Sequence, residues 1–500
     1  MRLFKILISV FLIVFLSLYI LIFTSIGHGI LLPIVENKIK DATKLQDVSI
    51  QKFDLSINSL DTTILLQNQP LNIDAKFDIL SKDIDVDSSL DIKDLTKFQN
   101  LTKQKIKGGL FAKVKVLGKL DDMDIKGSAL IAKGELKYDL KLKNNQPKDI
   151  NFYIKDLDLE ILLSMLSQPI YTKAKLTSTG KIDSIKPLNG IAKSTITDGV
   201  LNQKTIKEKF DINLPKNPSY NLKIDTKLQK GLVLSDIVLD SFVAKLTTQK
   251  TKFNINTQKL STDYNLFIPK LQKLYFISNQ KMRGDIKIAG DVIYDKKLLA
   301  TFKSSKFGGS IDGKLDDNRL TLDTKDISTL DLLHMFYYPE IFKAKLKLDL
   351  DYNLASKKGI ANFDMGNGRF LLSESIKMIN TVLKKDISLE VYKIAKIKAN
   401  INDNIINNDI YFQSKNIHIK SDKAYIDTKK QLLDSKFNIK YKKYSLDLKA
   451  SGDLKDPKVK IDPKKVIKQK AKEKIVETIE KKLGEKLGTD IKGIFDNIFK

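Results

Sequence analysis

Alternation between apolar and charged residues is the dominant pattern of the chain after about residue 47. Residues 113–116 (KVKV) and 345–350 (KLKLDL) show it most clearly, with an apolar side chain at every second position and mostly lysine between. A period of two predicts β-strands with one apolar face and one lysine-rich face. Gly, Asn and Asp separate the runs, which predicts hairpins and, for residues 48–460, roughly 25–35 strands.

A longer repeat is superimposed on this alternation. Residues 156–176 match residues 326–346 without a gap, including Asp156 with Asp326 and Pro169 with Pro339. Weaker copies lie near residues 94–118 and 266–290, and a degenerate copy is expected between residues 200 and 260. The copies predict a unit of about 60 residues, a short amphipathic helix plus several strands, stacked into one elongated array.

The apolar strand face is too extensive to remain in contact with water, so something must cover it. Recognisable helices are few and short, which predicts too little helix to roof the sheet. Two arrangements remain. The strands pack on themselves around a dry core, as in a solenoid or sandwich, or the sheet curls and its inside holds an apolar ligand. Periodicity does not distinguish them, because the inner side chains are the same in both.

The N-terminal segment, residues 6–35, contains no Asp, Glu, Lys or Arg. A bilayer core requires about 20 apolar residues in a row. Arg2 and Lys5 precede the segment, which predicts a cytoplasmic N-terminus and export of the rest of the chain. The alternative is a cleaved signal peptide, but the apolar stretch is long for one and no Ala-x-Ala-like site follows it. Either way, the body lies outside the cytoplasm.

Composition narrows the class of protein. Of 500 residues, 42% are hydrophobic and 29% are charged, and the net charge is +27, which fits a folded protein with a heavily solvated exterior. So basic a chain attracts nucleic acid, lipopolysaccharide or phospholipid headgroups. The lysines alternate along the strands and do not gather in one patch, so we expect no nucleic acid as partner. A polyanion binder remains the weakest alternative.

No catalytic or metal-binding constellation is recognisable. The absence of Cys excludes disulfides, thiolate chemistry and Cys-based zinc sites. The three histidines, His28, His334 and His418, match no paired-His metal spacing, and no phosphate-binding loop motif is present. The sequence therefore predicts no enzyme activity, no metal and no cofactor.

Residues 463–500 predict an amphipathic helical segment, because Ile475, Ile479, Leu483 and Leu487 recur at every fourth position. Its lysines outnumber its acids, so it could lie on an anionic membrane. The alternative is a helix that caps the open end of the sheet or packs on a partner protein.

Four short motifs resemble the AsmA-like superfamily, which includes TamB-like envelope proteins. They are residues 29–33 (GILLP), 118–127 (GKLDDMDIKG), 359–370 (GIANFDMGNGRF) and 451–458 (SGDLKDPK). The second is similar to the family's glycine-bounded hairpin and the last to its closing G-x-L-x-D-P-K element, and together with the anchor the resemblance covers essentially the whole chain. It implies a single-pass protein of the inner membrane of a diderm bacterium. Its periplasmic taco-like β-groove would bind phospholipid acyl chains and contribute to lipid transport between the inner and outer membranes.

The resulting domain plan has a cytoplasmic N-terminus (1–5), a transmembrane anchor and exit segment (6–35), a periplasmic repeated β-groove (36–462) and the C-terminal amphipathic segment (463–500). The expected partners are membrane phospholipids, with outer-membrane or periplasmic proteins at the C-terminal end. The alternative function is a periplasmic scaffold or assembly factor for outer-membrane proteins that carries no lipid. Groove-lining residues are expected among the apolar members of the clearest strands: Val114, Val116, Leu136, Tyr138, Leu140, Ile286, Ile288, Leu346, Leu348, Leu350, Phe437, Ile439, Leu446 and Leu448.

Overall fold

The computed structural model describes residues 25–144, 146–442 and 444–462, and positions 471, 474, 475 and 477. The chain is mainly β, with 59% of its residues in strands, and its antiparallel sheet structure is not closed. Two compact units follow one another, unit 1 (residues 1–262) and unit 2 (residues 263–500). The prediction of a mainly β chain of antiparallel strands is confirmed, and the described residues contain 28 strands.

Unit 1 is a meander in which each strand from β1 to β13 pairs antiparallel with the next strand in the sequence. Its helices are α1 (Ser25–Thr43), the 3-10 helix η1 (Leu95–Phe98), α2 (Gln99–Thr102), α3 (Leu159–Met165) and α4 (Gln203–Phe210). Its strands are β1 (Val48–Leu55), β2 (Ser59–Leu66), β3 (Gln69–Phe77), β4 (Asp83–Ile92), β5 (Leu110–Lys119), β6 (Asp122–Ile131), β7 (Gly134–Lys143), β8 (Gln146–Asp158), β9 (Thr172–Ile185), β10 (Leu188–Leu201), β11 (Ser219–Gln229), β12 (Leu232–Ser241) and β13 (Lys245–Asn254). Strand β14 (Leu260–Ile268) contains the boundary between the units.

Unit 2 repeats this plan, with antiparallel pairing between strands that follow one another from β15 to β28, except that β19 and β22 form a separate two-stranded pair. Its helices are η2 (Leu271–Leu274), α5 (Tyr275–Ser278), η3 (Lys306–Gly308), α6 (Thr329–Met335), α7 (Glu374–Leu383) and η4 (Ile387–Leu389). Its strands are β15 (Ile286–Asp295), β16 (Lys297–Ser304), β17 (Ser310–Asp316), β18 (Arg319–Ser328), β19 (Phe342–Lys343), β20 (Lys345–Asn353), β21 (Lys358–Asp364), β22 (Arg369–Phe370), β23 (Ile394–Asn402), β24 (Ile405–Gln413), β25 (Ile417–Asp427), β26 (Leu432–Tyr441), β27 (Tyr444–Asp453) and β28 (Pro457–Asp462).

The two long edges of each sheet differ, because a meander places alternate connections on opposite edges. In unit 1 every described helical connection precedes an odd-numbered strand, and in unit 2 the described helical connections follow β14, β16, β18 and β21. In a meander, connections at every second position lie at the same ends of the strands. We call this side of each sheet the helix edge. The opposite edge, the turn edge, carries short turns. Helix α1 precedes β1 and therefore also lies at the helix edge of unit 1.

Successive turns along the turn edge are linked by backbone hydrogen bonds. In unit 1 the N–H of Leu120 donates to the carbonyl of Lys82 at 3.3 Å. In unit 2 the N–H of Leu354 donates to Asn318 at 2.8 Å, and the N–H of Asp403 donates to Lys357 at 2.7 Å. These bonds satisfy backbone groups beyond the strand ends and hold neighbouring hairpins in register.

The helical connections reveal a tandem duplication. Helix α6 begins and ends 170 residues after α3, as the sequence match predicts, and α7 follows α4 at nearly the same interval. The segment η2–α5 likewise corresponds to η1–α2. The helical connections that contain α-helices are unevenly spaced, so the most exact repeat is the long one, and the expected unit of about 60 residues stays a prediction. Helix α4 occupies the region in which a degenerate copy was expected.

Local geometry supports the duplication. The ladders β8–β9 and β18–β20 both contain a β-bulge just before the helix. The bulge residues Asp156 and Asp326 have φ of +51° and +58°. Asp158 accepts a hydrogen bond at the N-terminus of α3, and Ser328 does so at the equivalent place in α6. Side chains at equivalent positions thus perform the same local task.

Helices cover part of the apolar strand face in each unit, and the prediction of too little helix to roof the whole sheet applies to the rest of that face. In unit 1, Leu95 of η1, Phe98 and Met165 of α3 join a core that includes Ile64 and Leu157. In unit 2, Ile376, Ile379 and Leu383 of α7 join a core with the strand residues described below. Their i, i+3 and i+7 spacing puts these three on one side of α7. The covered part of the face is the part near the helix edge.

Candidate functional site

The apolar face of unit 1 contains five of the expected groove residues in adjacent cross-strand rows. Val114 lies opposite Gly127, and Gly127 lies opposite Tyr138. Directly opposed residues of antiparallel strands point to the same face. Ile125 likewise lies opposite Val116 on one side and opposite Leu140 on the other. Leu136 is two positions from Tyr138 on the same strand, so all five side chains share one face.

The nine expected residues of unit 2 also share one face. The cross-strand row through Leu350 contains Leu322, Gly313 and Phe302, and continues to Ala361. Period two adds the others on β15, β20, β26 and β27. The expected residues therefore share one face within each unit, and that they line a lipid groove stays a prediction.

These residues differ in how much surface they leave free. Four of them, Leu346, Ile439, Leu446 and Leu448, are buried in the core of unit 2 that the residues of α7 join, with Leu446 fully inaccessible. The other ten are half-buried. Cross-strand neighbours contribute to this half-burial, and Leu348 and Phe437 in addition pack against the core of unit 2. The ten residues, five of them on unit 1, form what we call the open apolar face.

Aromatic rings lie over glycines on this face, a feature that sequence analysis missed. In unit 1 a Cβ at Gly127 would overlap the ring of Tyr138, and a Cβ at Gly180 would overlap the ring of Phe152. In unit 2 the ring of Phe302 covers Gly313 in the same way. Because glycine has no side chain, the ring of the opposing residue can lie flat against the strand backbone, an arrangement we call a flat aromatic seat. A glycine inside a strand pattern was the available signal, but its partner becomes known only with the register.

Hydroxyl groups on the same face of unit 1 are paired with one another. Ser178 and Ser194 are 2.8 Å apart, and Thr226 and Ser235 are 3.1 Å apart, in each case across neighbouring strands. A paired hydroxyl costs less to remove from water than an isolated one. The face can therefore accept an apolar occupant even where it carries polar atoms.

The opposite face is charged and solvated. Lys115 lies 3.2 Å from Asp85 and 3.1 Å from Asp87, and the hydrogen bond that its ammonium donates to Asp87 is the main cause of the raised pKa of Lys115. A cleft of about 1120 Å³ on unit 1 is lined mainly by such residues, including Lys126 and Asp139. Exposed ion pairs contribute little to folding stability. They keep this face wet, which leaves the other face for apolar contacts.

A buried polar network fixes the connection after α7. Glu390 accepts hydrogen bonds from Ser414 at 2.9 Å and Asn416 at 3.2 Å, and Lys385 is 3.2 Å away. Burial opposes ionisation of Glu390, but these three partners outweigh it and lower the pKa of its carboxyl. The network holds the segment that follows α7, next to Tyr392, whose phenol pKa is raised by burial.

Within the described part of the chain, no group of three or more His, Asp or Glu side chains is arranged to hold a metal ion. His334 pairs with Glu340 at 2.8 Å on the surface, and His418 lies against the ring of Tyr411. Asp323 and Asp349 share a hydrogen bond, which raises the pKa of Asp323.

Two predicted segments lie mostly outside the described residues. Residues 6–24 of the expected anchor lie outside the described residues, and residues 25–35 fall within α1. In the described ranges no helix combines the length and the apolar character needed to span a bilayer. The C-terminal amphipathic segment also lies outside them, apart from isolated helical positions such as Ile475.

No protein-family model, no curated protein and no solved structure matches the chain. The similarity to AsmA-like proteins therefore remains a resemblance based on the sequence motifs and on a fold of the expected class.

Proposed function

We propose that this chain is an inner-membrane-anchored periplasmic protein of AsmA-like type that binds phospholipid acyl chains and contributes to lipid transport between the inner and outer membranes. Residues 6–35 would anchor it, with the N-terminus in the cytoplasm and the bulk in the periplasm. The sheet would curl into a groove with the open apolar face inside.

The observation that carries this proposal is the open apolar face itself. Val114, Tyr138 and Leu140 lie on one face, and their side chains are only half-buried. An apolar strand face of this extent needs a cover, and acyl chains provide one without requiring any hydrogen bond. The paired hydroxyls and the flat aromatic seats suit the same occupant. Acyl chains would slide along this face while their headgroups remain in water.

In this function no bond is made or broken, so neither a catalytic residue nor a cofactor is required. Affinity would be distributed over many contacts of the apolar face, since each buried methylene contributes about 0.8 kcal/mol. Lipid selectivity by single residues is accordingly not expected.

The test is site-specific photocrosslinking in intact cells, with probes at Leu136 and Leu140 on the apolar face. Lys137 and Lys141 on the same strand are matched controls, because their side chains point to the charged face. Phospholipid adducts at the first pair alone are the expected result.

Adducts at neither pair, in a folded protein, would contradict lipid binding and favour self-packing and the scaffold function. Adducts at both pairs would indicate general membrane proximity without an occupied apolar face. The four probe sites lie on one strand, β7, so differences in local folding do not confound the comparison.

A further inference from the structure

Two of the three helical connections between the strands of unit 1 are basic, whereas the third, residues 159–171 with α3, has no lysine and one acid, Glu160. The segment 93–107, which contains η1 and α2, has five lysines and a single acid, Asp94. Lys103, Lys105 and Lys107 at its end are all exposed. The segment 203–216, which contains α4, has four lysines and two acids. The short turns at the turn edge show no comparable excess, as the turn from Asp78 to Lys82 illustrates.

Large apolar side chains project from the same connections. Leu101 of α2 is 48% exposed and Phe210 of α4 is 59% exposed. Each lies beside lysines in the sequence. Exposed apolar side chains are ordinary on protein surfaces, and the turn edge also carries them, as at Leu80 and Leu120. What distinguishes the segments with η1–α2 and α4 is the excess of lysine around such side chains.

The second copy of the duplication shows the same combination. The segment 270–283 in unit 2 carries Lys270, Lys273, Lys281 and Arg283 and no acid. On its helix α5, Tyr275 is 48% exposed and Ile277 is 57% exposed. Buried positions of the two segments correspond, as with Leu95 and Leu271, but the exposed residues differ in identity. What recurs in both copies is the chemistry: cationic side chains around an exposed apolar one.

We propose that the η1–α2 connection of unit 1 and the η2–α5 connection of unit 2, both at the helix edge, dock on a membrane surface that contains anionic phospholipid. Lysines attract the headgroups, and apolar side chains between them insert at the level of the acyl boundary, which is the combination that interfacial segments use. A nucleic-acid backbone would satisfy the lysines but not the exposed aliphatic residues. The position of α1 agrees, because it brings the chain from the proposed anchor to the helix edge of unit 1. The inference rests on the proposed envelope location, but not on lipid binding by the open apolar face.

The absence of cysteine allows a direct test with single-cysteine variants of the full chain. Ile277→Cys and Leu101→Cys report on the helix edge, and Leu80→Cys, which replaces a 94% exposed residue, and Leu354→Cys report on the turn edge. Each variant is labelled with an environment-sensitive fluorophore and reconstituted with vesicles of equal parts phosphatidylcholine and phosphatidylglycerol. Helix-edge probes should shift to the blue and be quenched by spin-labelled lipid, whereas turn-edge probes should do neither. In vesicles of phosphatidylcholine alone the helix-edge shift should be lost.

Charge specificity is tested in the Ile277→Cys protein. Replacing Lys270, Lys273 and Lys281 by Gln should abolish the blue shift. The matched control replaces three lysines of the charged strand face of unit 2 by Gln: Lys347, Lys396 and Lys398. It removes the same charge but should leave the shift intact.

Equal quenching at both edges, or equal loss in the two triple variants, would overturn the docking proposal. A shift seen only in native membranes and never in pure lipid vesicles would also overturn it and point to a protein partner. Neither result would affect photocrosslinks at Leu136 and Leu140, so failure of docking is distinguishable from failure of the proposed lipid binding.

Discussion

Replacement of Gly127 by alanine tests whether the ring of Tyr138 is seated on the glycine. In the wild-type background the new methyl group would overlap the ring, and overpacking of this kind costs about 1–3 kcal/mol. The exchange also restricts the unfolded chain, which stabilises by about 0.4–1 kcal/mol. The two effects oppose each other, and we expect Gly127→Ala to lower the free energy of unfolding by roughly 1–2 kcal/mol.

The sign should reverse when the ring is absent. In a Tyr138→Ala background nothing remains for the methyl group to overlap, so Gly127→Ala should stabilise by about 0.4–1 kcal/mol. The assay is urea unfolding followed by circular dichroism at β wavelengths, with the four proteins of the double-mutant cycle compared at constant slope. Ser128→Ala, one residue away on the charged face, is the control and should change stability by less than about 0.5 kcal/mol. Equal destabilisation by Gly127→Ala in both backgrounds would refute the reasoning.

Two further predictions concern the cover of unit 2. Leu383→Ala should lower the free energy of unfolding by about 2–5 kcal/mol, because this side chain is 3% exposed in the core that α7 joins. Met378→Ala, on the outer side of the same helix, should lower it far less. Similar shifts of the urea midpoint for the two variants would show that α7 does not cover the face. Glu390, with its lowered folded-state pKa, contributes stability above its unfolded pKa of about 4.3, and that stability is lost as the pH falls through the lower folded-state value. Glu390→Gln should therefore reduce the loss of unfolding free energy with falling pH below about pH 4.3, while the exposed-site control Asp225→Asn should not. Parallel plots of unfolding free energy against pH for wild type and Glu390→Gln would contradict this role of Glu390.

The strands and their facing were predictable because period two is a local property. Val114 and Tyr138 were placed on one face by alternation alone, and the hydrogen-bond register agrees. The match between residues 156–176 and 326–346 likewise predicted the matched helices α3 and α6. What each face packs against was not predictable in this way. Leu348 and Leu446 have the same pattern, yet Leu348 is half-buried at the margin of the unit 2 core and Leu446 is fully buried within it, a core to which segments distant in the sequence contribute.

Helix α7 was not recognised individually from the sequence, for a physical reason. Helix α7 has only 10 residues, and its cap Ser373 and apolar residues Ile376, Ile379 and Leu383 are a weak signal beside many strand runs. Packing on a sheet stabilises such a helix far more than its own propensity does. The pairing of Gly127 with Tyr138 was hidden because a glycine in a strand does not indicate which residue lies across from it.

The distribution of cover in each unit bears on function. Helices pack over the apolar face near the helix edge, yet leave residues such as Val116 and Leu140 half-buried farther along the same strands. If the face existed only to build a dry core, the economical solution would be longer helices or a second sheet over the whole of it. The duplicated plan instead repeats the same partial cover in unit 2, where Ile288 and Leu350 are half-buried beside a packed core. Partial cover in both copies is what an extended binding face requires, because the packed end supplies stability and the open part supplies the contact.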